Sequence, residues 1–433
     1  MPLSSPDNRP QARHDPWAAL RQADFRLYAG SRLLSNMGTA LQQAAILWQV
    51  YQLSHSALQL GFIGLARFAP SLGLSLVGGA LADAHDRKRI AILTQAVPLL
   101  SSLALFLATR SGTVHLPLIY ALVFAMSLAS AFESPARQAL LPQIVTRETF
   151  PNAVAVNSTM QEIGTIAGPA VGGLLIAVTG VAGAYAADLV LISGCVLTLL
   201  PLRPRREPGQ RRAVSLAAIR EGVQFVRHNQ ALLGAMTLDM FAVVFGGATA
   251  LLPVYARDIL HVGAAGYGLL VSSQSVGAVC MSAVLVLLPP VRRVGRTLLI
   301  AVAGFGAATV LFGASRWFPL SLLAYGLTGV ADEVSVIMRQ TTIQLATPDE
   351  LRGRVSSVSS IFIGASNQVG AMESGFVAAL TTATFSVVSG GLASLGVVAA
   401  VGASMPGLRR YRIDGHTPMH AVPPPVPAEP AEA

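Results

Sequence analysis

The sequence predicts an all-α membrane protein: twelve transmembrane helices in two six-helix halves, with both termini in the cytoplasm. Three observations predict it. The first is composition. Of 433 residues, 53% are hydrophobic and only 12% charged, where an average soluble domain carries roughly 25% charged residues. A soluble protein of this size has too little interior to hide that apolar surface. A soluble enzyme, a disordered chain and a disulfide scaffold are therefore excluded. The second is pattern, since twelve continuous apolar runs follow one another along the chain. The third is charge placement. With the N-terminus inside, 25 of the 30 basic residues fall on the tails and even-numbered loops and three (Arg110, Arg257, Arg316) on the opposite side, an asymmetry that fixes orientation.

The elements follow in order. Residues 1–22 carry Arg9, Arg13 and Arg21 but no apolar core of a cleavable signal peptide, so they read as a cytoplasmic tail. Runs at 27–52, 57–82, 89–109, 116–136, 153–178 and 183–202 fill an N-terminal half over 23–202. Most are long enough as helices to cross ~30 Å of hydrocarbon. None alternates with period two, which favours helices over a β-barrel. Residues 203–230 form a cytoplasmic linker that opens with RPRREPGQRR. Its second part places Leu216, Ile219, Val223 and Val226 at helical spacing, an amphipathic helix expected on the cytoplasmic membrane face. Runs at 231–256, 266–288, 297–315, 319–339, 355–380 and 383–405 fill a C-terminal half over 231–405. Residues 406–433, ending PPPVPAEPAEA, read as a disordered cytoplasmic tail. A weak repeat links the halves: Arg137 and Arg339, Gln138 and Gln340, Glu148 and Glu350, Gly168 and Gly370 share an offset of 202 residues, as two parallel repeats would.

Two features read as ordinary membrane chemistry. Cys195 and Cys280 lie in apolar runs and behave as small hydrophobes, not as a disulfide or metal site. The net charge of +9 places arginine against anionic lipid and does not indicate nucleic acid.

The loop after the second run reads Gly78-Gly79-Ala80-Leu81-Ala82-Asp83-Ala84-His85-Asp86-Arg87-Lys88-Arg89. It resembles the G-x-L-A-D-R-x-G-R-[KR] signature of the major facilitator superfamily, matching at Gly79, Leu81, Ala82, Asp83, Arg87 and Lys88. It departs at Ala84 and Asp86. The resemblance implies a conformational latch of Gly79, Asp83 and Arg87, with Glu133 near the cytoplasmic end of segment four as the expected partner of Arg87. Segment five reads Gly164-Thr-Ile-Ala-Gly168-Pro169-Ala-Val-Gly172-Gly173. It resembles the G-x-x-x-G-P-x-x-G-G motif of the superfamily's exporters, in which this face seals segment five against segment eight, here expected near Val276 and Gly277. The stretches DFRLYAGSRLLSNMG, SPARQALLP and TPDELRGRVSSV are similar to the efflux branch containing enterobactin and macrolide exporters. Many proton antiporters carry an arginine in mid segment four. LIYALVFAMSLASAFE has none, so coupling by that residue is not supported.

Polar residues supply the remaining candidates. In segment one Arg32, Asn36, Thr39 and Gln43 share a helical face; in segment ten Tyr325, Thr328, Asp332, Ser335 and Arg339 do. Polar side chains avoid lipid, so both stripes are expected to face the interior. The family lines its substrate cavity with segments one, four, seven and ten. Hydrogen bonding between helices, without substrate contact, is the alternative for both. Asp239 and Glu373 are intramembrane acids without a cation at helical spacing, hence proton-coupling candidates, with Glu162 the next; purely structural roles stay open for each.

There is no H-E-x-x-H, no G-x-S-x-G and no phosphate loop around Lys88, the single lysine; an enzyme and an ATP-driven pump are excluded on motif grounds, and no cofactor is expected. The resemblance implies a secondary exporter of a small amphipathic compound (drug, siderophore or metabolite), monomeric, in the cytoplasmic membrane, driven by protons. An importer or facilitator of the same fold, and a non-transporting sensor or scaffold, are the alternatives.

Overall fold

The computed structural model of the protein describes residues 18–84, 86–146, 148–204, 216–289 and 291–412. Among the described residues the regular structure is helical, with no strand. The first half holds α1 (Ala23–Ser54), α2 (Ala57–Ala84), α3 (Arg87–Arg110), α4 (Leu116–Ile144) and α5 (Phe150–Leu199). After α6 (Leu216–His228), α7 (Gln230–Gly246) runs through a 3-10 turn and the short α8 (Leu252–Val254) into a π turn ending at Ile259. Then come α9 (Gly263–Leu287), α10 (Val294–Ala314), α11 (Phe318–Ala346), α12 (Asp349–Leu380), α13 (Ala383–Ser404) and α14 (Pro406–Arg410). Segments eight to twelve of the sequence thus correspond to α9 to α13.

Among the described residues, eight helices are long and apolar enough to cross a membrane, with Gln230–Ile259 acting as one rod. Helix α1 is as long as these but less apolar, because Asn36, Gln42, Gln43 and Gln49 occupy its middle. Leu93, Val190 and Ile300 are about 70% exposed, so the apolar belt of the outer surface needs lipid rather than water around it. Capping residues set several boundaries. The Asp86 carboxylate accepts from the backbone N–H of Lys88 and Arg89 and starts α3; Asn229 starts α7 and Thr382 starts α13 in the same way. The Asp86 that departs from the family signature is therefore a helix cap.

In the first half α1 packs on α5, α2 on α4, and α3 on both α4 and α5. In the second half α9 packs on α11, α10 on α11 and α13, and α7 on α12 and α13. The halves meet mainly along two seams, α2 with α12 and α5 with α9. Glycines make both seams. A Cβ added at Gly375 would lie 2.5 Å from the Gly61 Cα, and one at Gly268 would lie 2.6 Å from the Pro169 carbonyl oxygen. Backbones this close admit no side chain, the usual device for helix packing in lipid.

Helix α5 is two helices meeting at a break at Gly180, whose φ of 77° is open to glycine and costly to other residues; segments five and six lie on either side of it as expected. Two expectations change here. The amphipathic α6 is present, but its apolar face does not lie free on the membrane: Val226 is buried with Leu232, Met236, Ile343, Val355 and Val358, and Glu221 pairs with Arg354 of α12 at 2.5 Å. The described part of the stripe, Val223 and Val226, packs against the second half. The C-terminal tail begins packed, with Leu408 of α14 fully buried against the second half. Residues 413–433, and Leu216 to Ile219 as side chains, lie outside the described residues.

Candidate functional site: a cavity between the halves

Both halves line a central cavity of about 370 Å³. The first half contributes Gln43 of α1 and Arg67 of α2. The second contributes Thr249, Gln274 of α9, Tyr325 and Asp332 of α11, and Gln368 of α12. The Tyr325 hydroxyl donates to Gln274 Oε1 at 3.1 Å and lies 2.9 Å from the Thr249 hydroxyl, which holds the ring across the second-half wall. Phe312 stacks at a tilt on Tyr325, centroids 5.0 Å apart, and continues the wall as an apolar surface. The lining therefore combines amides, hydroxyls and aromatic faces, the mixture expected of a small-molecule site.

The cavity is closed at one end, the end where α1 stops and α2 begins. There Tyr51 donates to Asp258, and Trp48 stacks on Tyr267 with centroids 5.4 Å apart. Phe62 meets Phe376 edge-on at 5.5 Å, and further along the α5–α9 seam, towards the middle of the bundle, Ser272 donates to the Ile166 carbonyl at 2.8 Å. Each contact joins the first half to the second. The arginine-rich end is held differently. Lys88 donates to the Leu200 and Leu202 carbonyls at 2.6 and 2.8 Å, inside the first half. Arg137, 1% exposed, has its Nε 2.5 Å from the Glu133 carboxylate and donates to Cys195 Sγ at 3.2 Å. Its counterpart Arg339 pairs with Asp239 of α7 inside the second half.

The family follows from the chain as a whole. The sequence model of the transmembrane secretion effector family matches residues 14–429. The chain belongs to that family. It is a major facilitator-type transporter and a multi-pass membrane protein, and its curated relatives are transporters, not enzymes. The enterobactin exporter EntS of Escherichia coli O81 (strain ED1a) is 27% identical over 392 residues, covering 90% of this chain and 93% of the relative. The fold is that of the nucleoside transporter NupG, with a TM-score of 0.67 at 14% identity over 89% of this chain and 100% of that one. It is also that of a bacterial homologue of the human lysosomal transporter Spinster in an inward-facing, unoccupied conformation, with a TM-score of 0.65 at 13% identity over 90% and 96% of the two chains.

Within this family frame, the structure distributes the sequence candidates unevenly. Gln43, Tyr325, Thr328 and Asp332 line the cavity. Thr39 is exposed on the same helix. Arg32 instead donates to Gln161 of α5 at 3.0 Å, and Asn36 packs beneath Gly164. The segment-one stripe is thus half cavity wall and half helix contact. Gly164, Gly168 and Gly172 face α1, not α9: added Cβ atoms would meet Asn36, Met37, Ala40 and Leu41. Only Pro169 and Gly173 of the motif reach α9, at Ala264 and Gly268. Gly277, expected on this seam, packs on Gly326 of α11. One helix carries two glycine faces, and residue spacing alone does not say which neighbour each will meet.

The expected pairing of Arg87 with Glu133 is replaced. Glu133 pairs with Arg137 one turn along its own helix and accepts from Gln95 at 2.5 Å, while Arg87 donates to the Ala139 carbonyl at 3.1 Å. Gly79 and Asp83 lie on α2, with side chains outside the described residues. Asp239 is not unpaired, since Arg339 neutralises it across two helices. Glu373 is half-buried, with the Ser374 hydroxyl at 3.4 Å, and Glu162 is exposed.

Two groups legible in the sequence only as charges within spans, Arg67 in segment two and Asp188 near an end of segment six, were not among the site candidates. Asp188, fully buried, accepts from Ser102, to which Gln42 donates at 2.5 Å; its Oδ1 has no partner. Only packing reveals that this aspartate lies inside the first half, against Gly38.

Proposed function

We propose that the protein is a secondary exporter of a small amphipathic compound across the cytoplasmic membrane, working by alternating access and driven by protons. The observation that carries the reading is a cavity lined by both halves and sealed by inter-half contacts at one end. A carrier of this type exposes its site to one side at a time as the halves rock about it. The reading takes the halves as 23–202 and 231–405, joined by the linker over 203–230, with twelve spans and both termini cytoplasmic. The arginine-rich end then faces the cytoplasm, so the arrangement described above is an inward-facing one. The glycine seams support it, because they let α2 slide against α12 and α5 against α9 without side-chain obstruction. The likeness to an enterobactin exporter supports outward direction and a metabolite-sized cargo.

No nucleotide-binding signature is present in the sequence, so gradient-driven export needs a group that changes charge between states. Glu373 is the leading group. It lies deep in α12, and its described partner is a neutral hydroxyl; Asp239 is already neutralised by Arg339. Asp83 and Arg87, at the cytoplasmic end, act as the latch of the outward-facing state.

Inverted membrane vesicles from overexpressing cells test the function. Accumulation of a compound from a drug, siderophore and metabolite panel, dependent on the protein and abolished by an uncoupler, is the expected result. Protein-dependent entry that runs only down a gradient would instead establish a facilitator. Absence of movement for every compound would favour a sensor.

A further inference from the structure

The cavity presents one charge from each half, and neither is compensated. Arg67 of α2 lines the first-half wall and Asp332 of α11 lines the second-half wall. Among the described residues neither takes part in an ion pair or a side-chain hydrogen bond. Every other arginine described at comparable depth is partnered: Arg137 by Glu133, Arg339 by Asp239, Arg32 by Gln161.

Arg67 cannot relieve itself at a membrane surface. It is the eleventh residue of the 28-residue α2. At 1.5 Å per residue it sits ~15 Å from one helix end and ~25 Å from the other, beyond the reach of a snorkelling side chain. Arginine also cannot escape by losing its proton. Yet Tyr267, an electrostatic neighbour on the second-half side, is fully buried with a hydroxyl that finds no partner. A guanidinium on the cavity wall and a buried phenol beside it are thus left with unused donors. A charge kept in a membrane interior without a counter-ion marks a ligand pathway.

On the exporter reading above, we infer that the cargo is an amphipathic organic anion whose acidic group pairs with Arg67. The planar guanidinium offers paired N–H donors to a carboxylate or sulfonate. The apolar body of the cargo packs on the Phe312 and Tyr325 wall, and Gln43 and Gln274 supply hydrogen bonds along the sides. Asp332, on the second-half wall of the same cavity, accepts from a hydroxyl or amine donor of the same molecule. It also repels a second anion, so the acidic group is sent to the first-half wall. A cargo that touches Arg67 and Asp332 together bridges the halves.

The test uses purified full-length protein in lipid nanodiscs and three radiolabelled probes of one shape: 2-naphthoate, 2-naphthamide and 2-naphthylmethylammonium. The wild type is expected to bind naphthoate at least tenfold more tightly than either partner probe. Arg67→Gln should abolish that preference, and Arg67→Lys should keep most of it. Intact elution and unchanged helix content of both variants separate lost recognition from lost folding. If Arg67→Gln does not fold, the preference of the Arg67→Lys protein and competition by 2-naphthalenesulfonate on the wild type decide in its place. Equal binding of the three probes, preference for amide or ammonium, no binding of naphthoate, or an unchanged preference in Arg67→Gln would each overturn the inference. The exporter reading is judged separately by the vesicle panel, where energised export of cationic or neutral compounds alone would sustain it while this inference fell.

Discussion

Arg339 and Asp239 show how one residue pair decides the fate of a helix contact. The arginine is 3% exposed and joins α11 to α7. Removing one partner leaves an uncompensated buried charge, which costs about 3–5 kcal/mol. Asp239→Asn and Arg339→Met should each lower the thermal midpoint of the purified protein clearly. The double variant should recover much of the loss, and additive losses would show that the pair does not couple. Gly38 gives a second, independent case. An added Cβ would lie 2.7 Å from the Asp188 carboxylate, so Gly38→Ala should destabilise the first half by about 1–3 kcal/mol. A midpoint equal to wild type would mean that α1 shifts freely away from Asp188.

At the level of elements, the two glycine seams control how closely the halves approach. Gly173 and Gly268 meet backbone to backbone, as Gly61 and Gly375 do. Gly268→Leu should hold α5 and α9 apart at the closed end. Spin labels at Gln52→Cys and His261→Cys, with both native cysteines replaced, should report a longer distance than without the substitution. An unchanged distance distribution would remove the seam from the closing mechanism. Helix α6 behaves similarly at the other end. Its docking through Val226 and the Glu221–Arg354 pair was not legible in its sequence. The apolar stripe Leu216–Ile219–Val223–Val226 reads equally well as a lipid-facing or a protein-facing surface, since both partners are apolar.

For the whole molecule, orientation and energy coupling are properties read in the membrane. Alkaline phosphatase fusions after residues 212 and 410 are both expected to be inactive, placing those points in the cytoplasm; activity from either would break the even-loop orientation. Gradient-driven export in vesicles should fail in Glu373→Gln while downhill exchange continues, because a group that no longer changes charge can rock without coupling. Retained uphill export would move the coupling role to Asp332 or Glu162. Arg87→Ala, at the latch, should lower the rate of export without changing binding of the naphthoate probe. Weaker binding would place Arg87 in the site instead.

The sequence by itself determined the helices, their approximate limits and the family. Hydropathy over 20 residues and the excess of arginine on alternate loops are properties of the chain read in order, and lipid enforces them segment by segment. The cavity stripe of segment ten was legible for the same reason, since Tyr325, Thr328 and Asp332 share a face of one helix. Tertiary structure alone decided which faces meet. The motif glycines divide between α1 and α9, Glu133 turns to Arg137 instead of Arg87, and Asp239 finds Arg339 about 100 positions away. A helix specifies the angle at which a side chain leaves its axis; the neighbour standing at that angle is set by how the bundle packs, which no local spacing encodes.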